Sequence, residues 1–281
     1  MPSFPPAVVD ALVDAQTSDG AFRSFVTVRG RVVEDRNGFI TALVVRAIGH
    51  DPLPPCLTAA RERGLDYLER CARQCPSGSF GFWPLDGRPT WAPDLPADAD
   101  DTAVIALELF RGGRRSLDWL RRVALCALLP FTVRSCEGDP AWVTPGVFRT
   151  WLARGGANPV DCTVNVNVAA LLAVAGLTHI AACRAAVSMV GAAVGTAGDL
   201  KAVARLSPFY AHPLELRWAL AHAVASGAHD FQTSLDRLDA AGLEAIDVVG
   251  DRPVCCAAYG VRCWSAPILQ LARHARAGAA G

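Results

Sequence analysis

Three carboxylates crowd into four positions in Asp98-Ala99-Asp100-Asp101-Thr102-Ala103, and the apolar segment Val104–Phe110 follows at once. Carboxyl groups packed this closely in a dry site cannot all ionise cheaply. One of them keeps its proton near neutral pH and becomes a usable acid. An acid facing an apolar hollow can protonate a group with no other polar handle, such as a carbon–carbon double bond or an epoxide. The same run also has the form of a helix start, with Asp98 as N-cap and Asp101 three residues on. The two readings are compatible.

The elements that position this run are helical. Periodicity predicts helices over roughly 7–16, 39–49, 56–73, 101–112, 116–129, 163–175, 179–194, 212–226, 230–242 and 264–277. Extended pieces at Val26–Val28 and Arg31–Val33 form a hairpin across Arg29-Gly30, a decoration on a helical body. Helix starts repeat: Asn37 through Thr41, Asp98 through Thr102 and Asp161 through Thr163, with the three threonines evenly spaced. Further starts are expected near His212-Pro213 and at Trp264-Ser265-Ala266. Apolar helices alternate with amphipathic ones such as Leu57–Arg73 and Leu117–Leu129. This predicts an all-α fold, one (α/α) toroid over residues 1–281, with five to six helix pairs in two concentric layers. Asp35, Asp98, Asp100, Asp101 and Asp161 are then expected near one mouth of the ring.

Composition narrows the function classes. Lys+Arg and Asp+Glu balance at 27 each, which leaves no electrostatic footprint for nucleic acid. Ten cysteines are scattered without a C-x-x-C pair, so free thiols in a reducing cytoplasm are expected. No signal peptide is visible at Met1–Pro6. The longest apolar stretch, Val168–Val194, is broken by His179 and Arg184 and reads as buried helices rather than a membrane span.

The segment Asp98–Ala103 resembles the D-x-D-D-T-A signature of class II terpene cyclases, the group that includes the squalene-hopene cyclases. Gln16-Thr17-Ser18-Asp19-Gly20-Ala21-Phe22 is similar to their Q-x-x-x-G-x-W repeat, with Phe22 in the Trp place, and Cys75–Trp83 resembles another remnant. The resemblance implies an α/α toroid and protonation-initiated cyclisation of an isoprenoid. It implies Asp100 as the general acid, with Asp98 and Asp101 bonded to it. Trp83, Trp91, Trp142, Trp151, Phe148, Phe209, Tyr210 and Trp264 are the candidate faces for the carbocation. No cofactor is expected, with Mg²⁺ needed only for a diphosphate substrate. Family members pair two or three toroids, whereas this chain has length for one. Closure of the pocket is open between a homodimer, a partner subunit and the loop from Phe80 to Pro96, and peripheral membrane contact is also open.

Other polar residues carry weaker signals. Asn165 and Asn167 interrupt an apolar helix, and Asp161 and Asn165 share a face. Asn165 either lines the mouth and orients a water or substrate oxygen, or satisfies loop backbone. His212 either meets the acid cluster or caps a helix. Asp161, Cys162 and His212 superficially resemble the zinc set of protein prenyltransferases, which share the toroid. The spacing does not match, and adjacent Asp and Cys chelate one ion poorly. Glu34-Asp35 reads as a solvated loop, with Mg²⁺ binding near a diphosphate as the other use. Arg111, Arg114, Arg115, Arg121 and Arg122 read as a solvated face, with a diphosphate or lipid role open. Two rivals to a cyclase remain: a non-catalytic isoprenoid-binding or accessory subunit, and a carbohydrate-active (α/α) barrel, which needs two acids across a groove.

Overall fold

The computed structural model describes residues 4–50, 53–243, 252–257 and 260–278. About half of the chain is helical, with one small sheet. Three helices start the same way. Helix α2 (Gly38–Ile48) is capped by Asn37, α4 (Ala99–Arg111) by Asp98 and α6 (Cys162–Val174) by Asp161. Each cap is in extended backbone and accepts from the N–H three residues on, which satisfies an orphan donor of the first turn. Nearly every residue of these helices is buried, as their mainly apolar sequences favour.

Helix α2 packs against α4, α4 against α6, α6 against α9 (Leu214–Ala225), and α2 against α11 (Pro267–Gly278). Arg273 of α11 then donates to both carboxylate oxygens of Glu215 on α9, at 2.8 and 2.9 Å. These five helices therefore make a closed circuit. Amphipathic helices lie outside it: α1 (Pro6–Asp14) on α11 and α3, α3 (Pro55–Arg70) on α2 and α4, α7 (Ala181–Thr196) on α6, and α10 (Gln232–Ala240) on α9 and α7. Helix α5 (Leu117–Arg122) packs on α4 and widens into a π-helical stretch over Val123–Leu128. The regular helix expected to residue 129 is thus shorter, and Pro130, which has no N–H to return, lies just beyond it. Helix α8 (Leu200–Ala204) was not expected.

The chain is not all-α. Strands β1 (Arg23–Val28), β2 (Arg31–Arg36), β3 (Pro253–Cys256) and β4 (Cys263–Ser265) form an antiparallel sheet in the order β2-β1-β4-β3. The expected hairpin is present, and Arg29 (φ 51°) and Gly30 (φ 75°) make its left-handed turn. It is longer than expected and does not decorate: Val26 of β1 pairs with Trp264 of β4. Trp264 is therefore a strand residue rather than a helix start, and α11 begins at Pro267.

The repeat is real in its first two units and slips in the third. Phe22 N–H donates to Thr41 Oγ1 (3.1 Å), Phe80 N–H to Thr102 Oγ1 (3.0 Å) and Phe148 N–H to Asn165 Oδ1 (2.8 Å). Each acceptor lies one turn beyond its cap. Asn165, not Thr163, is the third equivalent; Thr163 instead meets Ser207 Oγ at 2.7 Å. In the first unit Gln16 Nε2 donates to Gly20 O and Ala60 O, tying the turn to α3. Gly20 has φ +95°, and a Cβ there would lie 2.2 Å from the Arg63 carbonyl, so the turn admits only glycine.

Asn165 also donates to the carbonyls of Phe148 (3.0 Å) and Asp161 (2.9 Å). Replacing it by alanine strands two buried backbone groups, the Phe148 N–H and C=O; the Asp161 carbonyl keeps the Asn165 backbone N–H. The expected cost is about 2–3 kcal/mol, read as a lower urea midpoint for Asn165→Ala with an unchanged slope.

Candidate active site

The acidic run enters α4 from a pinned extended segment. Asp98 forms backbone bridges to Phe80 on one side and Trp151 on the other. Ala99 N–H donates to Thr150 O (2.8 Å) and Leu152 N–H to Ala97 O (2.9 Å). Asp98 Oδ1 accepts from Asp101 N–H at 2.6 Å. The three carboxyls are 8%, 8% and 2% exposed for Asp98, Asp100 and Asp101. They differ in partners. Asp100 Oδ1 accepts from Asn167 Nδ2 (2.8 Å), and Tyr210 Oη donates to Asp100 Oδ2.

Partners decide the acidities. Burial pushes Asp100 up to about 6, against the pull of Tyr210, Asn167 and the more distant Arg46 charge. Burial also raises Asp98, with the Asp100 charge adding to the rise. Asp101 rises furthest, through burial and then the Asp98 charge beside it, and Asp101 Oδ2 receives no hydrogen bond. Asp101 therefore holds a proton and donates to Asp98. Asp100, whose base is stabilised by two donors, is the strongest acid of the three.

All three carboxyls line one cavity of about 840 Å³, within the roughly 300–1,000 Å³ of small-molecule sites. Phe39, Phe82, Trp83, Leu95, Val160, Val164, Tyr210 and Trp264 supply apolar wall. Arg149, Arg205, Arg262, Glu137 and Asp139 also line it. Arg149 is spent on Asp139, with contacts of 2.6 and 2.7 Å. Arg205 is exposed and Arg262 is half-buried, its guanidinium 5.2 Å from the Trp91 ring centre. The loop from Phe80 to Pro96 contributes Phe82, Trp83, Pro93 and Leu95, and the chain from Glu137 to Val160 contributes a second wall.

One aromatic group is held from behind. Asp35, on β2 and 2% exposed, accepts from Trp83 Nε1 at 2.9 and 3.2 Å and from Trp264 Nε1 at 2.8 Å. Asn37 Nδ2 also donates to it, at 3.0 Å. Phe82 packs edge-on against both indoles, with ring centres 4.7 and 5.2 Å apart.

Most of the expected aromatic residues meet here. Trp83, Trp142, Trp151, Phe209, Tyr210 and Trp264 line the cavity. Trp91 lies behind the wall, against Trp83 (6.1 Å) and Trp264 (6.5 Å). Phe148 belongs to the core. Asn165 is absent from the cavity lining, because its amide is consumed by loop backbone; its neighbour Asn167 is the one that reaches Asp100. Asp161 caps α6 and accepts from Phe209 N–H (3.0 Å), and burial pushes it up to about 7. His212 Nδ1 accepts from Leu214 N–H at the start of α9, a capping contact. Glu34 pairs with Arg23 and Arg36, so Glu34 and Asp35 are neither adjacent in role nor a solvated loop. Among the described residues no group of three or more His, Cys, Asp or Glu is placed to hold a metal. The arginines expected as one solvated face are divided: Arg111 goes to Glu108, His222 and Ser226, Arg114 to Glu62 and Asp66, Arg115 to Glu69, and Arg121 to Asp118.

Sequence reasoning missed Phe39, Phe82, Asn167, Arg205 and Arg262. Phe39 had a signal: it stands two residues after its cap, as Asp100 does. A second cavity of about 390 Å³ lies across Phe39 and Tyr210, which line both. Asn167, Arg46, Glu215, His222 and Arg273 line that one. No helix among the described residues is long and apolar enough to cross a membrane.

No family model and no curated protein matches the sequence. Among solved structures, the type II terpene cyclase MstE from Scytonema in its apo form aligns over 96% of this chain and 94% of that chain, at 13% identity and a TM-score of 0.45. A protein from Actinoplanes aligns over 98% of both, at 16% identity and a TM-score of 0.45. An MstE variant in complex with geranylgeranyl dihydroxybenzoate, its substrate, aligns over 96% of both, at 14% identity and a TM-score of 0.42. Likeness at this level carries no argument about chemistry, which rests on the geometry above.

Tyr210→Phe and Asn167→Leu each remove a donor that favours the Asp100 carboxylate. Both should raise the Asp100 pKa above about 6, followed by ¹³C NMR titration of aspartate carboxyls. The sign extends to stability. Asp100 binds its proton more tightly folded than unfolded, so its contribution is lost as pH rises through about 6, and later in the variants.

Proposed function

We propose that this chain is a protonation-initiated, class II terpene cyclase for an isoprenoid alkene or epoxide, with Asp100 as the acid. The five-helix circuit and its outer helices support the reading of residues 1–281 as a single two-layered α/α toroid. One observation carries the function: the most acidic of three buried carboxyls opens into a hollow walled by Phe39, Phe82, Trp83, Tyr210 and Trp264.

The geometry performs the chemistry as follows. A substrate filling the cavity displaces water, which raises the pKa of Asp100 further and keeps its proton in place. Asp100 O–H adds that proton to the terminal alkene carbon; the π pair forms the new C–H bond and leaves a tertiary cation at the neighbouring carbon. An epoxide instead takes the proton on oxygen as its C–O bond breaks. The next alkene donates its π pair to the cation and closes a ring, and loss of a proton or capture of water ends the series. Asp100 remains as a carboxylate held by the Tyr210 O–H and the Asn167 N–H, which lowers the cost of releasing the proton. Each desolvated aromatic face contributes about 0.5–2 kcal/mol to holding the cation.

Arg205 and Arg262 line the same cavity from exposed and half-exposed positions. They support a substrate that places its hydrocarbon end at Asp100 and a polar or anionic head beside them.

Farnesyl, geranylgeranyl and squalene-type substrates are the assay panel, with products compared by mass spectrometry. Asp100→Asn should lose cyclic product by a factor of roughly 10² or more. Absence of cyclic product from the wild type with every substrate, alongside retained binding, would favour a binding module. Equal turnover by Asp100→Asn would remove Asp100 as the acid. For a substrate with an anionic head, Arg205→Ala should raise KM several-fold and leave kcat little changed.

A further inference from the structure

We infer that Asp35 is a positioning residue for the carbocation: its buried carboxylate grips the indole N–H groups of Trp83 and Trp264 and makes that pair the cation-binding face of the cavity. The inference rests on the cyclase reading and names which wall receives the charge.

The partners of Asp35 are one-sided. Oδ1 accepts from Trp83, and Oδ2 accepts from Trp264, Asn37 and Trp83 at the longer distance. Every one of these partners donates and none accepts. Burial raises the Asp35 pKa, while each of these bonds, and one from the Arg36 N–H, pulls it down again; a proton on Asp35 would find no acceptor among them. A buried carboxylate is costly, and a neutral amide or a backbone carbonyl could anchor an indole at lower cost. Here the charge is bonded to the N–H edges of two rings that line the reacting cavity.

Two effects follow. An anionic acceptor at the indole N–H pushes electron density into the ring and deepens the negative face. The carboxylate also attracts a cation held against these rings through a weakly screening interior. The fold gives this arrangement its rigidity. Asp35 sits on β2, Trp264 on β4, and β1 lies between them in one antiparallel sheet. Ser24 Oγ donates to the Asp35 carbonyl (3.1 Å), and Asn37, already the cap of α2, fixes the carboxylate from its other side. Gly38 N–H donates to Phe82 O (2.7 Å), which ties the Trp83 loop to the same helix start.

The test uses the full chain and a pair of ligands: a farnesyl-chain quaternary ammonium, and its neutral isostere with carbon in place of nitrogen. Calorimetry should show the wild type preferring the ammonium by about tenfold or more. Asp35→Asn should reduce that preference severalfold while changing affinity for the neutral ligand by less than about twofold, consistent with loss of charge recognition rather than shape. In ¹H–¹⁵N spectra, the indole N–H signals of Trp83 and Trp264, assigned through Trp83→Phe and Trp264→Phe, should move upfield in Asp35→Asn. Trp83→Phe keeps a ring and removes one N–H, and should lower the same preference; it decides the matter if Asp35→Asn does not fold. An unchanged preference in the variants, unmoved indole signals, or no preference in the wild type would overturn the role of Asp35. Turnover is not used, so the two readings fail separately. An inactive wild type that prefers the ammonium removes the cyclase alone, and an active cyclase whose preference survives Asp35→Asn removes Asp35 alone.

Discussion

At the start of α4, three buried carboxyl groups share one helical turn. The helix offsets part of that cost, because its first turn presents unpaired N–H groups and the positive end of its dipole. Asp98 takes the cap, which holds its Oδ1 on the Asp101 N–H. Asp101 relieves the pair by keeping a proton. Asp100 is left to find partners elsewhere, and it finds them on α6 and in the chain before α9, through Asn167 and Tyr210. The acid is thus defined by a contact between distant parts of the chain, although its motif is local.

That dependence explains the outer architecture. The cap works only if the segment before it is extended, and Phe80 and Trp151 hold it extended by bridging Asp98 from both sides. The residues that do so belong to the loops that build the walls. Placing the acid and lining the cavity are therefore one structural task. The sheet does the corresponding work on the opposite wall, where strands from the two ends of the chain put Asp35 behind Trp264.

Much of this was legible in the sequence, for definite physical reasons. Mainly apolar stretches opened by Asn or Asp predicted α2, α4 and α6 to within two residues, because caps and burial are local signals. The repeat misled at its third unit, where even spacing selected Thr163; the structural rule is distance from the cap, which selects Asn165. The same rule marks Phe39 as the counterpart of Asp100. Strands β3 and β4 were illegible because each is only three or four residues long, and the pair joins the sheet only through β1, more than two hundred residues away from β4. Asn165 and Asn167 could not be told apart by type. Only packing shows that one is consumed by Phe148 and Asp161 while the other faces Asp100.

A glycoside-cleaving site of similar helical build would need two carboxyls roughly 5–10 Å apart on opposite sides of the scissile bond, one of them free to take or give a proton. The cavity does hold carboxylates away from the cluster, Glu137 and Asp139. Asp139 is gripped by Arg149 through two short contacts, which fix its direction. Glu137 is exposed to water. Much of the rest of the lining is apolar, from Phe, Trp, Leu, Val, Pro and Ala side chains that offer a sugar few of the donors and acceptors its hydroxyls demand. A hydrocarbon demands none of them. It asks for a shape, an acid and electron-rich faces, and the interior of this cavity presents all three.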